Sequence, residues 1–544
     1  MIRTTSLLLA VGTLCTGGCQ SLQIEAETKE IPVAKADDDG ISNKRSAKAA
    51  SKQETAADAS VKETAQPKRE TKSSALAESS SPRARLDALA TEFGQAVDPL
   101  PGAPLELEQV TLSVVDRFPL IRSLMEEARV AAGKQQSARG AFDVKLLAES
   151  LNMPQGYYKN YRHLVKAEQA TWMGGAVYGQ YRLGDGDFQP WYGERETNEG
   201  GEFKVGMIAP LLRGRAIDER RAEIARADLA AAAVDPQVQR QLLESVQVSS
   251  YVYWSWVAAG QAYLITQDLL EVAEQRDKAV RRQVELGNLG QTELQQNERL
   301  IASRQAKLIE AKRKLQGAAI KLSLFLRDEN GEPIIPDPSS LPAKFPEPTD
   351  PHSLNLDDDI AQALTRRPEL RELQLARNLV NLDLRLSENE LLPNLNAVME
   401  ASKDTGAWAS PKGDKTPFEL EAGLLFDVPL QRNKAYGKVR SAQGKLTQLS
   451  LKQQFTVDKI VIDVQDAHSA LIAAYDRIGK TRRSVELARQ LVKAEYRSFE
   501  LGNSDILRIG IQEGSELDAR YLEIDALLDY FQSLAQYHAA IVNE

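Results

Sequence analysis

Aromatic residues make up only 6% of this 544-residue chain, beside 27% charged residues, and so few large rings suit long solvated helices better than a thick globular core. Histidine is scarcer still. His163, His352, His468 and His538 are scattered, with no HExxH pattern, no phosphate-binding loop and no nucleophile elbow, so the chemistry expected of an enzyme is missing and neither a cofactor nor a metal site is expected. Positive charge is in deficit as well: the formal net charge is −9 and no basic run carries interleaved aromatics, which argues against a nucleic-acid partner. Cysteine is limited to Cys15 and Cys19, and if the first is lost with an export leader, no disulfide framework is possible.

That leader is readable at the N-terminus. Residues 1–18 carry Arg3, an apolar stretch from Leu7 to Leu14, and the small residues Thr16-Gly17-Gly18 directly before Cys19. The run resembles a bacterial lipoprotein signal, which implies Cys19 as a lipid anchor; a plain signal peptide with an incidental cysteine is the alternative. From 19 to 100 the chain is dominated by Ala, Lys, Glu, Ser, Asp and Thr, too little apolar surface to offset the entropy of ordering, and reads as a disordered tether. A charge-mixed helix is the competing reading.

The stretch from Asp427 to Gly502 organises the remainder. It has no proline after Pro429, and Ile460, Val464, Ala467, Leu471, Ala474, Ile478, Val485, Ala488, Val492 and Phe499 fall on alternating four-and-three spacing, with Thr481 and Glu495 filling the gaps. A period of 3.5 marks a coiled-coil seam. At about 1.5 Å per residue this helix is roughly 105 Å long, several times a bilayer core, and its charged surface places it in water.

The plan occurs twice. Phe118-Pro119-Leu120 in one half and Arg367-Pro368-Glu369-Leu370 in the other each mark a helix with an early proline. An alternating strand closing in Pro-Leu follows, Val205 to Leu211 in one and Leu424 to Leu430 in the other. Glu285-Leu286-Gly287-Asn288 and Glu500-Leu501-Gly502-Asn503 then mark matching turns. Beyond each turn a returning helix keeps the seam, with Leu294, Ile301, Leu308, Leu315 and Leu322 in the first, and Leu517, Tyr521, Ile524, Leu528, Phe531, Ala535, His538 and Val542 in the second. Each half therefore reads as helix, strand, strand, long helix and returning helix, over 101–327 and 353–544, with a proline-rich linker at 328–352. The opening and returning helices together match the long helix in length, so two short rods stacked end to end would flank one long one. Asp235-Pro236 predicts a kink or a restart in the first long helix, with Asp235 as cap. Trp254, Trp256 and His538 read as packing residues.

One strand pair is expected between Phe142 and Leu212 and one between Leu395 and Leu430. The first region is the longer, with aromatic and glycine alternation through Trp172 to Tyr181 and with Trp191-Tyr192 beyond. Such alternation suits a membrane barrel with an external loop, and a soluble hairpin has the same look. Four strands cannot close a barrel and lipid forbids open edges, so several copies must share one if the barrel is real.

The motifs Gly140-Ala141-Phe142-Asp143, Ala209-Pro210-Leu211-Leu212-Arg213-Gly214, Arg367-Pro368-Glu369-Leu370, Leu391-Leu392-Pro393-Asn394-Leu395 and Val428-Pro429-Leu430, in this duplicated order with the two glycine turns, resemble the TolC-type outer-membrane efflux and export channels from about Leu105 to Glu544. The resemblance implies a mainly α fold with β: a homotrimer in which a coiled-coil α-barrel joins a shared transmembrane β-barrel of four strands per protomer, twelve in all. It further implies passive exit across outer membrane and periplasm for substrates delivered by an inner-membrane pump through a periplasmic adaptor. The turns would form the periplasmic tip, with Gly287, Asn288, Thr292, Glu293, Gly502 and Asn503 as docking residues. Gate candidates are Asp505 and Arg508, the latter where the family carries an acid, and Phe499 stands in place of a tyrosine; a Glu293–Arg508 contact is expected to hold the mouth. A periplasmic coiled-coil adaptor or a structural envelope lipoprotein without a pore are the alternative functions.

Overall fold

A computed structural model describes residues 104–189, 196–409 and 418–542. The export signal, Cys19, the tether and Trp191-Tyr192 lie outside the described residues.

The first half contains helices α1 (Leu107–Arg117) and α2 (Pro119–Arg139), strands β1 (Lys145–Met153), β2 (Asn160–Ala170), β3 (Ala176–Gly186) and β4 (Glu202–Pro210), the 67-residue helix α3 (Glu219–Glu285) and helix α4 (Gln291–Leu322). The second half contains α5 (Leu356–Arg366), α6 (Pro368–Asn389), β5 (Asn394–Asp404), β6 (Glu419–Asp427), the 68-residue α7 (Asn433–Glu500) and α8 (Ile506–Ile541). Each opening helix is thus a pair. Proline forces the preceding residue into an extended conformation, φ −69° and ψ 120° at Phe118, φ −57° and ψ 119° at Arg367, and then serves as the first residue of the next helix.

Helix α7 buries the expected seam: Ile460, Val464, Ala467, Leu471, Ala474, Ile478, Val485 and Val492 are all buried. It packs against α8 and, beyond the end of α8, against α5 and α6, while α3 packs in the same way against α4 and then α1 and α2. The end-to-end joints are hydrogen-bonded. Arg367 Nε donates to the Ala540 carbonyl at 3.0 Å and Gln362 Nε2 to that of Ile541 at 3.2 Å, closing the C-terminus of α8 against α5 and α6. In the first half Ser113 Oγ donates to the Phe325 carbonyl at 2.8 Å. Around this level lies the main core, which includes Trp256, Leu471, Tyr530 and Phe531; Trp254 stacks on Phe531 with centroids 4.1 Å apart, so both tryptophans are packing residues. The proline-rich segment straps this core: Phe345 stacks on Trp254, and the Tyr530 hydroxyl donates to the Thr349 carbonyl at 2.8 Å.

Two expectations are corrected and a third, at Pro236, is narrowed. Helix α3 runs unbroken through Pro236, with no restart at Asp235. Proline leaves the Ala232 carbonyl without its intrahelical donor, but Val234 and Val238 on either side are buried with Val115 and Ala131, and packing on α1 and α2 carries the helix through. His538 is exposed; Tyr537 and Ile541 take the buried positions beside it. Most consequentially, the sheet has six strands among the described residues, in the order β1-β2-β3-β4-β5-β6, all antiparallel, and not four. The surplus in the first half is an additional hairpin, β2–β3, whose turn lies on the helix side and not outside. Trp172 in that turn stacks on Phe142 with centroids 4.1 Å apart, and Gln169 Nε2 donates to the Phe142 carbonyl at 3.3 Å.

Candidate functional site

The molecule presents two distinctive ends. At the strand end, strands of 9 to 11 residues match the length a tilted strand needs to cross a bilayer core. Register lines the residues up in rows. Leu146, Ala167, Gly179, Val205, Ala401 and Leu420 face each other across all six strands, and every one is apolar. The adjoining row on the opposite face reads Leu147, Lys166, Gln180, Lys204, Ser402 and Glu419. Alternation along each strand therefore becomes segregation across the sheet, one face apolar and the other charged.

The apolar face is bare. Val205 is 61% exposed and Leu424 66%, although each sits among apolar neighbours where a soluble sheet would place a covering layer. The charged face is internally bonded. Lys166 pairs with Glu168 at 2.8 Å, Tyr178 donates to Glu400, Lys204 reaches Glu400 at 3.3 Å, and Arg182 pairs with Glu202. Gly206 lies between Tyr178 and Glu400 in the same row; a Cβ there would collide with the tyrosine ring. The two edge strands, β1 and β6, are exposed at every residue.

Where strands meet helices, two sequence motifs come together. The Leu211 amide donates to the Leu395 carbonyl at 2.8 Å, and the Gly214 amide to Asn389 Oδ1 at 2.8 Å. Gly214, at φ +85°, takes the left-handed turn needed to aim the chain into α3.

At the opposite end both turns close α3 and α7 identically. Gly287 (φ +76°) and Gly502 (φ +77°) are left-handed C′ residues; the Asn288 amide donates to the Gln283 carbonyl and the Asn503 amide to the Ser498 carbonyl, each at 2.9 Å. Thr292 is exposed in the first turn of α4 and Glu293 is half-buried beside it. Asp505 is the N-cap of α8, accepting the Arg508 amide at 2.8 Å, and the Arg508 side chain is exposed. Among the described residues the expected Glu293–Arg508 ion pair is not formed. Phe499 packs with Val280, Leu294 and Ile506, joining the two hairpins at the tip.

Behind this apolar plug lies a cluster that sequence reading missed. Glu513 on α8 is 1% exposed and accepts both Arg276 Nη1 bonds from α3 at 2.8 Å, a bond from Arg304 on α4, and one from the Tyr496 hydroxyl on α7. Arg276 Nε also donates to the buried Asn297 Oδ1 at 3.0 Å, and Arg304 Nη1 to the Leu269 carbonyl at 3.0 Å. Burial alone would raise the Glu513 pKa, but Arg276 and Arg304 overcome it and hold the carboxyl below the usual range. Burial and the bond to Glu513 push the Tyr496 phenol up to about 12. Four helices from both halves thus converge on one carboxylate. The available signal was Asn297 and Arg304 interrupting the apolar seam between Leu294, Ile301 and Leu308.

No helix among the described residues is long and apolar enough to cross a membrane. Neither any family model nor any curated protein matches the sequence. In three dimensions the chain has the fold of the TolC-type outer-membrane channels. It superposes on the CmeC outer membrane channel of Campylobacter jejuni with a TM-score of 0.57 and 12% identity, covering 80% of this chain and 85% of that one. For the open state of the MtrE outer membrane channel of Neisseria gonorrhoeae the values are 0.56 and 14%, over 80% and 88% of the two chains. For the outer membrane protein VceC of Vibrio cholerae they are 0.57 and 15%, over 80% and 95%. The likeness therefore extends over nearly all of each channel at identities that carry fold alone.

Proposed function

We propose that this protein is the outer-membrane channel subunit of a tripartite efflux or type I export system. Three copies would assemble as a tube, their sheets forming the pore in the outer membrane and their helices continuing it through the periplasm. Substrate exit is passive. An inner-membrane pump delivers the cargo and a periplasmic adaptor joins pump to tube at the tip, where Gly287, Asn288, Thr292, Glu293, Gly502 and Asn503 are the docking residues and Asp505 and Arg508 the gate candidates. Among the described residues the exposed Arg508 side chain has no partner, and in the tube it would reach a carboxylate on a neighbouring copy. Cys19, if lipidated, anchors the N-terminus in the same membrane.

The observation that carries this reading is the two-faced sheet at the end of a water-exposed shaft. Among the described residues the sheet has an uncovered apolar face, a charged opposite face and two edges with no strand beside them; lipid outside, water inside and a neighbouring copy at each edge satisfy all three. A soluble periplasmic adaptor or envelope scaffold has no use for such a face. The test is direct. Full-length protein purified in detergent should insert into planar bilayers with discrete conductance steps and migrate as a heat-modifiable oligomer. A monomer that stays soluble without detergent and never conducts would overturn the proposal.

A further inference from the structure

The channel reading leaves the barrel unfinished, because β1 and β6 are edges with no strand beside them among the described residues. We infer that β6 of one copy pairs with β1 of the next with Asp427 opposite Lys145, so that three copies, each giving six strands, close an eighteen-stranded barrel. The inference rests on the trimeric channel and adds its strand number and the register of its seams.

Direction permits this pairing. Strand β1 leaves the helical end and β6 returns to it, so the two meet antiparallel, as every other pair in the sheet does. Both are 9 residues long. Facing permits only some registers: Lys145 and Asp427 both lie on the charged face, and a seam that keeps lipid outside and water inside must join residues of one face.

Charge and backbone chemistry choose among those registers. With Asp427 opposite Lys145 the strands overlap over their whole length. The seam then sets opposite charges side by side, Leu146 against Phe426 on the lipid face and Leu147 against Leu425 on the other. Sliding by two positions one way places Glu149 opposite Glu421, a like-charge pair. Sliding by two the other way sets Lys145 against Pro429, which lies beyond the end of β6 and has no amide to donate.

Barrel geometry supplies an independent check. The row that begins at Lys145 passes through Glu168, Tyr178, Gly206 and Glu400 and reaches β6 at Glu421, so docking the next Lys145 at Asp427 steps the register down by six residues for every six strands. At about 3.4 Å per residue and about 4.8 Å per strand, that step corresponds to a tilt of roughly 35°, within the range of closed barrels. A barrel of this strand number is of the size that leaves an aqueous channel, whereas its interior here would be lined by the bonded charges of Lys166, Arg182, Lys204 and Glu400.

Cysteine pairs introduced into the full-length protein in outer membranes test the seam. Opposite residues alternate between closer and wider pairs, so Lys145→Cys with Asp427→Cys and Leu146→Cys with Phe426→Cys between them include one of the closer kind. Single-cysteine chains control for Cys15 and Cys19. Mild oxidation should convert most of the protein into covalent dimers and trimers with at least one pair, and the ladder should stop at three. The shifted pair Lys145→Cys with Leu425→Cys should give at least fivefold less. Predominant linking by the shifted pair overturns the register, a ladder stopping at two or continuing past three overturns the eighteen strands, and no linking by either aligned pair overturns the seam. Bilayer conductance of the unaltered protein reports separately on the channel itself: conduction without these cross-links defeats the seam alone.

Discussion

The two halves of this chain share one plan and differ in one place. Their tips are superimposable in kind, down to the left-handed glycine and the asparagine amide that closes each helix. Their strand ends are not: among the described residues the first half carries four strands where the second carries two. The difference teaches that the helical shaft and the sheet are under separate constraints. A shaft of stacked rods tolerates no change of length in one half alone, because α3 and α7 both pack on α6 and α8 and must end at a common tip. A sheet built of hairpins can gain one without disturbing its neighbours, since each hairpin begins and ends on the same side.

The sharpest way to break that comparison is to remove the surplus. Joining Met153 to Gly200 deletes β2 and β3 and leaves two strands in each half. Because barrel diameter grows nearly linearly with strand number, the largest polymer admitted from the strand side of the proposed channel should shrink by about a third, while amide protection at the tip stays as it was. Polymer exclusion during conductance recording measures this.

Next in size is the carboxylate that joins the halves. Glu513→Gln leaves Arg276 and Arg304 buried without a counter-charge and should cost about 3–5 kcal/mol, read as a fall in the urea midpoint of the tip region. The sign of its pH dependence follows from the lowered pKa. The stabilisation is present above the unfolded value near 4.5 and is lost as pH falls through the lower folded value, so amide protection factors at the tip, corrected for intrinsic exchange, should fall in acid and hold constant between pH 6 and 8.

Smaller effects should test the equivalence of the tips. Gly287→Ala and Gly502→Ala each force an L-residue into the left-handed region, at about 1–2 kcal/mol, and the two costs should agree within a few tenths. The caps that follow should not agree. Asp505→Ala removes the side-chain acceptor of the Arg508 amide and should cost about 1 kcal/mol, whereas α4 begins at Gly290 with no side-chain cap, so Gly290→Asp should gain a few tenths. Local amide exchange distinguishes all four.

Much of this was legible in the residues. The α7 seam from Ile460 to Val492, the glycine turns, the proline-marked helix at Arg367-Pro368 and the duplicated order all depend on neighbours in sequence, and a helix of period 3.5 or a chain reversal at Gly-Asn is a local decision. The strand number was not legible. Alternation from Trp172 to Tyr181 suits one strand and a loop as well as it suits a hairpin, because the signal per strand is weak. Pro236 shows the limit from the other side: a local rule predicts a kink or a restart, and the helix, buried beside α1 and α2, does not restart.

The sequence alone determined the long amphipathic rods, where they turn and that they come twice, because hydrophobic period and glycine conformation act over a few residues. Only the tertiary structure decided that Arg276, Arg304, Tyr496 and Glu513 share one buried site and that six strands align their apolar residues into a single uncovered face. Both depend on register between segments far apart in the chain, and register is set by how the rods and hairpins pack, which no local pattern records.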